Sequence, residues 1–231
     1  MDAVEIYNEG YYYYTGSEGY PMNYRLAFKK FSQAAEMGYA AAMNYLGDMY
    51  LEGQGVTADP EQAIQWYQQA ASAGEPFALR KLAIRYYNGD GFPQNVAYAY
   101  ELFRKALMMG DSISAHFVAE AELEENNYEE AFRLYKKAAE ETGLSDSWYN
   151  MGFLVETYPS LTGMQKLARM RTAVAYYEKA AEKGHAQGMF MCGQRWYALG
   201  ERAKGKYWVG KAADAGLPEA KKLNRLLMFA D

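Results

Sequence analysis

Residues 39–74, YAAAMNYLGDMYLEGQGVTADPEQAIQWYQQAASAG, constrain the fold more than any other stretch, because they read as two consecutive helices with defined stops. The first places Ala42, Leu46, Gly47 and Tyr50 on one face of a 3.6-residue period. It stops at Gly53-Gln54-Gly55, where glycine accepts the left-handed conformation that ends a helix. The second opens at Asp59-Pro60-Glu61-Gln62, with a capping Asp, Pro at the first helical position and Gln three residues after the cap. Its apolar stripe is Ala63, Trp66, Tyr67, Ala70 and Ala71, and Gly74 closes it. The small residues Ala42, Gly47, Ala63 and Ala70 allow a close helix crossing. Tyr50, Trp66 and Tyr67 fill the space between neighbouring pairs.

The unit recurs. Its closing turn reappears as Ala34-Ala35…Gly38, Ala106-Leu107…Gly110, Ala138-Ala139…Gly143, Ala180-Ala181…Gly184 and Ala212-Ala213…Gly216. The glycines are 36, 36, 33, 41 and 32 residues apart. A period near 35 built of helix pairs means a solenoid, since one pair alone cannot bury its apolar face. The residues Leu46-Gly47, Tyr50, Gly53-x-Gly55-Val56, Asp59, Ala63, Trp66-Tyr67, Ala70-Ala71 and Gly74 resemble the Sel1-like repeat family, a branch of the tetratricopeptide-type helical repeats. The resemblance implies an all-α, right-handed α/α solenoid forming a single domain over 1–231. About six helix-turn-helix repeats are expected at 2–38, 39–74, 75–110, 111–143, 144–184 and 185–216, with a capping helix over 217–231 in which Ala220, Leu223, Leu227 and Ala230 form the apolar stripe. The fourth repeat lacks Gly-x-Gly and turns at Asn126-Asn127, and the fifth carries a long connection from Thr157 to Arg171.

Half of the 231 residues are hydrophobic, enough for a continuous core, and the 23 tyrosines fall mostly at repeat positions that face a neighbouring helix. Four of them, Tyr11 to Tyr14, are consecutive, so at least one must be exposed or meet a partner. The net charge of −5 is uneven: residues 164–231 hold 13 Lys+Arg against 6 Asp+Glu, and residues 1–163 hold 11 against 23. That overall sign argues against nucleic acid. The single Cys192 excludes an internal disulfide and stands at the register of Leu46, as a buried small hydrophobe. It also departs from exported Sel1-like proteins that carry a cysteine pair in each repeat. No basic segment followed by an apolar run opens the chain, and no stretch approaches the length of a membrane span. A cytoplasmic protein is expected, or a periplasmic one if a leader has been removed.

Catalytic chemistry is hard to find. His116 and His185 lie in different repeats without companion cysteines, and no metal-ligand spacing is present. The acidic run Glu120 to Glu130 lacks the alternating ligands and central glycine of a calcium loop and reads as a solvated turn. No enzyme, cofactor or metal is expected.

The family resemblance implies that first helices line the inner, concave surface. Taking Leu46 as the core reference, positions two before and two after it lie about 160° from the core direction. Two before gives Asn44, Arg80, His116, Tyr149 and Phe190; two after gives Asp48, Ile84, Glu120, Phe153 and Gln194. Five after adds Leu51, Tyr87, Leu123, Glu156 and Tyr197. Aromatics mixed with Arg80, Asn44 and Gln194 have the composition of a protein-recognition surface. The expectation is therefore a scaffold or adaptor that holds a peptide or protein segment, as a monomer unless the tyrosine-rich end pairs two copies. The alternative is a stoichiometric inhibitor, such as an immunity protein against a toxin or secreted effector.

Overall fold

The computed structural model describes residues 1–228, so Ala230 of the expected last apolar stripe lies outside the described residues. Among the described residues the chain is all-α, with thirteen α-helices and one short 3₁₀ turn. It divides into two compact units, Met1–Ser114 and Ala115–Asp231. The first contains α1 (Ala3–Thr15), α2 (Tyr24–Glu36), α3 (Ala40–Glu52), α4 (Pro60–Ser72), α5 (Pro76–Asn88) and α6 (Val96–Met108). Helix α7 (Ser114–Glu124) opens the second, followed by α8 (Tyr128–Thr142), α9 (Ser145–Thr157), α10 (Lys166–Glu182), α11 (Ala186–Ala198), α12 (Arg202–Asp214) and α13 (Pro218–Met228).

Local chemistry sets the helix ends. Asp2 and Glu5 form a reciprocal capping box at α1, and Asp59 accepts from the Gln62 amide with Pro60 at the first position of α4. Gly74 illustrates the closing turn. At φ 93° its N–H donates to the Ala71 carbonyl and the Glu75 N–H reaches back to Ala70. A side chain in that left-handed conformation would be strained. The same pair of bonds recurs around Gly38, Gly110, Gly184 and Gly216. At Gly143 the helix continues two residues further and closes on a single bond to Ala139, with one extra residue before that glycine.

Each unit is held by one packing device. The residue four positions after the first buried small residue of a second helix is fully buried: Phe31, Tyr67 and Phe103 in the first unit, Tyr135, Tyr177 and Val209 in the second. Phe31, Tyr67, Tyr177 and Val209 each rest on a glycine of the preceding helix. A Cβ at Gly47 would lie 2.7 Å from the Tyr67 ring, one at Gly152 2.7 Å from the Tyr177 ring, and one at Gly193 2.8 Å from Val209. Close approach thus lets a large ring bury completely, and burial of apolar area is the main term favouring the fold.

Three local expectations are refined. Asn126 takes a left-handed φ of 62° between α7 and α8, where the turn was read, but Glu122 is buried there and accepts from Asn127 rather than lying solvated. The connection expected from Thr157 to Arg171 is shorter, because α10 already begins at Lys166 after the 3₁₀ turn Pro159–Leu161. Of the four tyrosines, Tyr11 is exposed, Tyr12 and Tyr13 pack on Tyr20, and Tyr14 packs on Tyr24 and Tyr45.

Gly152→Leu is expected to destabilise the protein by about 1–3 kcal/mol through overpacking. Gly210→Ala, at a helical position with nothing within 4 Å of the added methyl, is expected to stabilise by about 0.5–1 kcal/mol. Urea unfolding followed by circular dichroism measures both, and equal destabilisation by the two would refute the slot as the reason glycine stands at 152.

Candidate functional site: the first-helix faces

In the first unit, the buried ring of Tyr67 reaches beyond the core. Its hydroxyl donates to Asp48 Oδ1 at 2.7 Å, and Lys81 Nζ donates to Asp48 Oδ2. Burial and the adjacent carboxylate hold the Tyr67 phenol far above its usual range, so it stays a neutral donor. One turn along, Arg85 Nη2 lies 3.4 Å from Glu52 Oε1, and Gln54 donates to the other oxygen at 2.8 Å. The two acids of α3 and two bases of α5 form a ladder. Beside it opens a cleft of about 320 Å³ lined by Tyr14, Asp48, Glu52, Lys81, Ile84, Arg85 and Asp90. Burial, then Glu52 and Asp48, push the Tyr14 phenol up to about 12.

The second unit repeats the arrangement. Tyr177 donates to Glu156 Oε2 at 3.0 Å, and Arg195 Nε donates to Glu156 Oε1 at 2.5 Å. In both units a tyrosine from a second helix, an acid from its first helix and a base from the next first helix form one chain. The acid sits one residue after the packing glycine in α3 and four after it in α9, which is one turn on the same face.

The residues expected on the open face divide. Asp48 and Ile84 line the first cleft, Tyr87 is half-buried against Tyr100, and Phe153 is 42 % exposed. Tyr149 is half-buried and stacks on His185 at 4.7 Å, while Gln194 and Tyr197 are half-buried. Three of the positions two before the reference are not open. Asn44 is buried; His116 is buried with Nδ1 2.9 Å from Ser147 Oγ and its ring edge-on to Tyr135; and Phe190 packs with Ala212, Ala213 and Ala220. Arg80 does grip a carboxylate, but an internal one, Asp111, at 2.9 Å. His116 and Arg80 each contact a residue 31 positions later, at the start of the following repeat. First helices pack side by side closely enough that this flank is covered.

A Sel1 repeat family profile matches residues 6–39, 40–75, 76–111, 121–142 and 163–185. The chain belongs to the Sel1 repeat family. Among solved structures it is similar to c5321, a protective antigen present in uropathogenic Escherichia coli strains displaying an SLR fold: 30% identity, TM-score 0.80, covering 96% of this chain and 48% of that one. This chain thus spans about half the length of that relative. It is also similar to a Sel1 repeat protein from Oxalobacter formigenes, with 32% identity and TM-score 0.72, covering 93% of this chain and 86% of the other. No curated protein matches. Sel1 repeat proteins are generally protein-interaction scaffolds, and the fold is typically a non-enzymatic, protein-binding one. Among the described residues, no helix is long and apolar enough to cross a membrane and no group of three or more potential metal ligands comes together.

Within this Sel1 frame, sequence reasoning passed over Lys81, Arg85, Arg195 and the tyrosine hydroxyls. The available signal was an acid on one first helix and a base 33 residues later, as in Asp48 with Lys81 and Glu52 with Arg85. Cys192 is fully buried, and burial pushes its thiol up, so it is no nucleophile. His185 has a structural role: Nδ1 accepts from the Gly188 amide at 2.8 Å, capping α11, and Nε2 lies 3.0 Å from Asp146. Burial lowers the His185 pKa, with Asp146 opposing. A folded value below the unfolded one makes stability complete above about pH 6.5 and lost as pH falls through the folded value. The urea midpoint should therefore drop more between pH 7 and pH 5 for the wild type than for His185→Asn, which keeps a cap acceptor but does not titrate. Parallel profiles would assign the pH dependence elsewhere.

Proposed function

We propose that this chain is a non-catalytic interaction module that binds a protein or peptide segment on the faces presented by its first helices. The observation that carries this reading is the cleft over α3 and α5. There Tyr14 and Ile84 supply apolar contact, and Arg85, held by a single 3.4 Å bond to Glu52, retains guanidinium donors on its other edges. Arginine, tyrosine and aliphatic surface together match the anchors of protein interfaces. The ion-pair ladder fixes these side chains before a partner arrives, so less conformational freedom is lost on binding. In the second unit we assign the corresponding contacts to Phe153, Tyr149, Gln194 and Tyr197 on α9 and α11, the helices that carry the Glu156–Arg195 pair.

The test is capture of a partner from native lysate by tagged wild type and by Ile84→Glu/Arg85→Ala, with both proteins first shown equally helical and stable. A stoichiometric partner should be retained by the wild type and reduced at least about tenfold by the variant, the effect of losing one interface anchor. Equal retention would place the binding surface elsewhere.

A further inference from the structure

A second surface, on a second helix, carries its own signature. Lys204, Tyr207 and Lys211 follow at spacings of three and four, forming one stripe along α12. All three are exposed, Tyr207 at 56 %. The Lys204 ammonium lies 4.2 Å from the centroid of the Trp196 ring and that of Lys211 5.7 Å from the Tyr207 ring. Tyr207 in turn meets Trp208 edge-on at 5.1 Å. These ring contacts steady both ammonium groups and leave their N–H donors facing solvent.

The two ammonium groups of the stripe are uncompensated among the described residues, unlike a set of cations elsewhere in the chain. Lys30, Arg80, Lys81, Arg85, Arg133 and Lys137 are each bonded to a carboxylate. Among the described residues, Lys204 and Lys211 make no ion pair. At the start of α12 the placement of Lys204 works against the helix, whereas Lys211, in the last turn, suits the dipole. Arg202 and Lys204 stand in the first turn of α12, which has no acidic residue and no side-chain cap, whereas α4 and α8 carry Glu61 and Glu129, Glu130 there. Cations at that end oppose the helix dipole.

We propose that the α12 stripe is a docking surface for an acidic segment of another protein. Its carboxylates accept from Lys204 and Lys211, and an apolar or aromatic side chain rests on Tyr207. Charge complementarity selects this occupant over a nucleic acid. A nucleic acid is disfavoured by the overall charge of −5, whereas a short acidic segment needs only the local surplus of 13 bases against 6 acids in residues 164–231. The stripe lies on a second helix, and the proposal does not depend on what the first-helix faces bind.

The test is fluorescence anisotropy on the full chain with a labelled Glu- and Asp-rich peptide carrying one Phe. The controls are a Lys-for-acid peptide, the same acidic peptide with Gly for Phe, and a single-stranded oligonucleotide. The acidic peptide should bind at about 50 mM salt and weaken about tenfold or more by 300 mM. Lys204→Glu/Lys211→Glu should weaken it more than about tenfold, the loss of two charge-assisted contacts. Tyr207→Ala should weaken it about threefold to tenfold, as for a lost ring contact, with an unchanged salt dependence. The substituted residues are exposed, and unchanged thermal midpoints confirm that the variants fold. No peptide binding, tighter binding of the oligonucleotide, or an affinity indifferent to either variant would overturn the proposal.

Discussion

The contact between a buried ring and a glycine one helix earlier organises what surrounds it in each unit. A full aromatic side chain is removed from water only if the preceding helix offers no side chain at the crossing, which is why Gly47 and Gly152 stand where their added Cβ would meet a ring at 2.7 Å. This sets how closely the two helices approach and which way the first helix turns its other side. It also has a polar consequence. At Tyr67 and Tyr177 the ring carries a hydroxyl that reaches beyond the core and finds an acceptor. Asp48 and Glu156 answer that need, and each draws a base from the next first helix. A core-packing choice thus organises polar groups on the face proposed for binding.

The repeats differ where this logic leaves freedom. Phe103 has no hydroxyl to satisfy, and Val209 replaces the ring outright against Gly193. Closing turns are conservative because left-handed backbone needs glycine, but the exit geometry tolerates an added residue at Gly143. The link between α9 and α10 shows the same tolerance, since Lys166 and its successors extend a helix instead of lengthening a loop.

Features written in short-range chemistry were legible from the residues alone. The Asp59-Pro60 start, the glycine stops and the alternation of small and aromatic positions all report on partners within a few residues or one helix pair. The open face was legible only in part, because exposure there depends on the following repeat. Arg80, His116 and Phe190 lie at the right angle for a helix considered alone. Their surroundings are supplied by Asp111, Ser147 and the Ala212–Ala213–Ala220 cluster, each more than twenty residues away in the chain. Lys81 and Arg85 escaped for the complementary reason: their positions read as flank until Asp48 and Glu52 are placed beside them.

On the proposed reading this chain presents a largely pre-paired surface, and its specificity resides in which side chains keep unused hydrogen-bonding capacity. The most direct measurement of that claim is site-specific photocrosslinking in cells of origin, with a benzophenone amino acid placed at Ile84 on α5 or at Met108 on α6. Met108 is 84 % exposed, so simple accessibility favours it. The account predicts a discrete adduct from Ile84 and none from Met108. A discrete adduct from Met108 alone would contradict it and move recognition to the second helices.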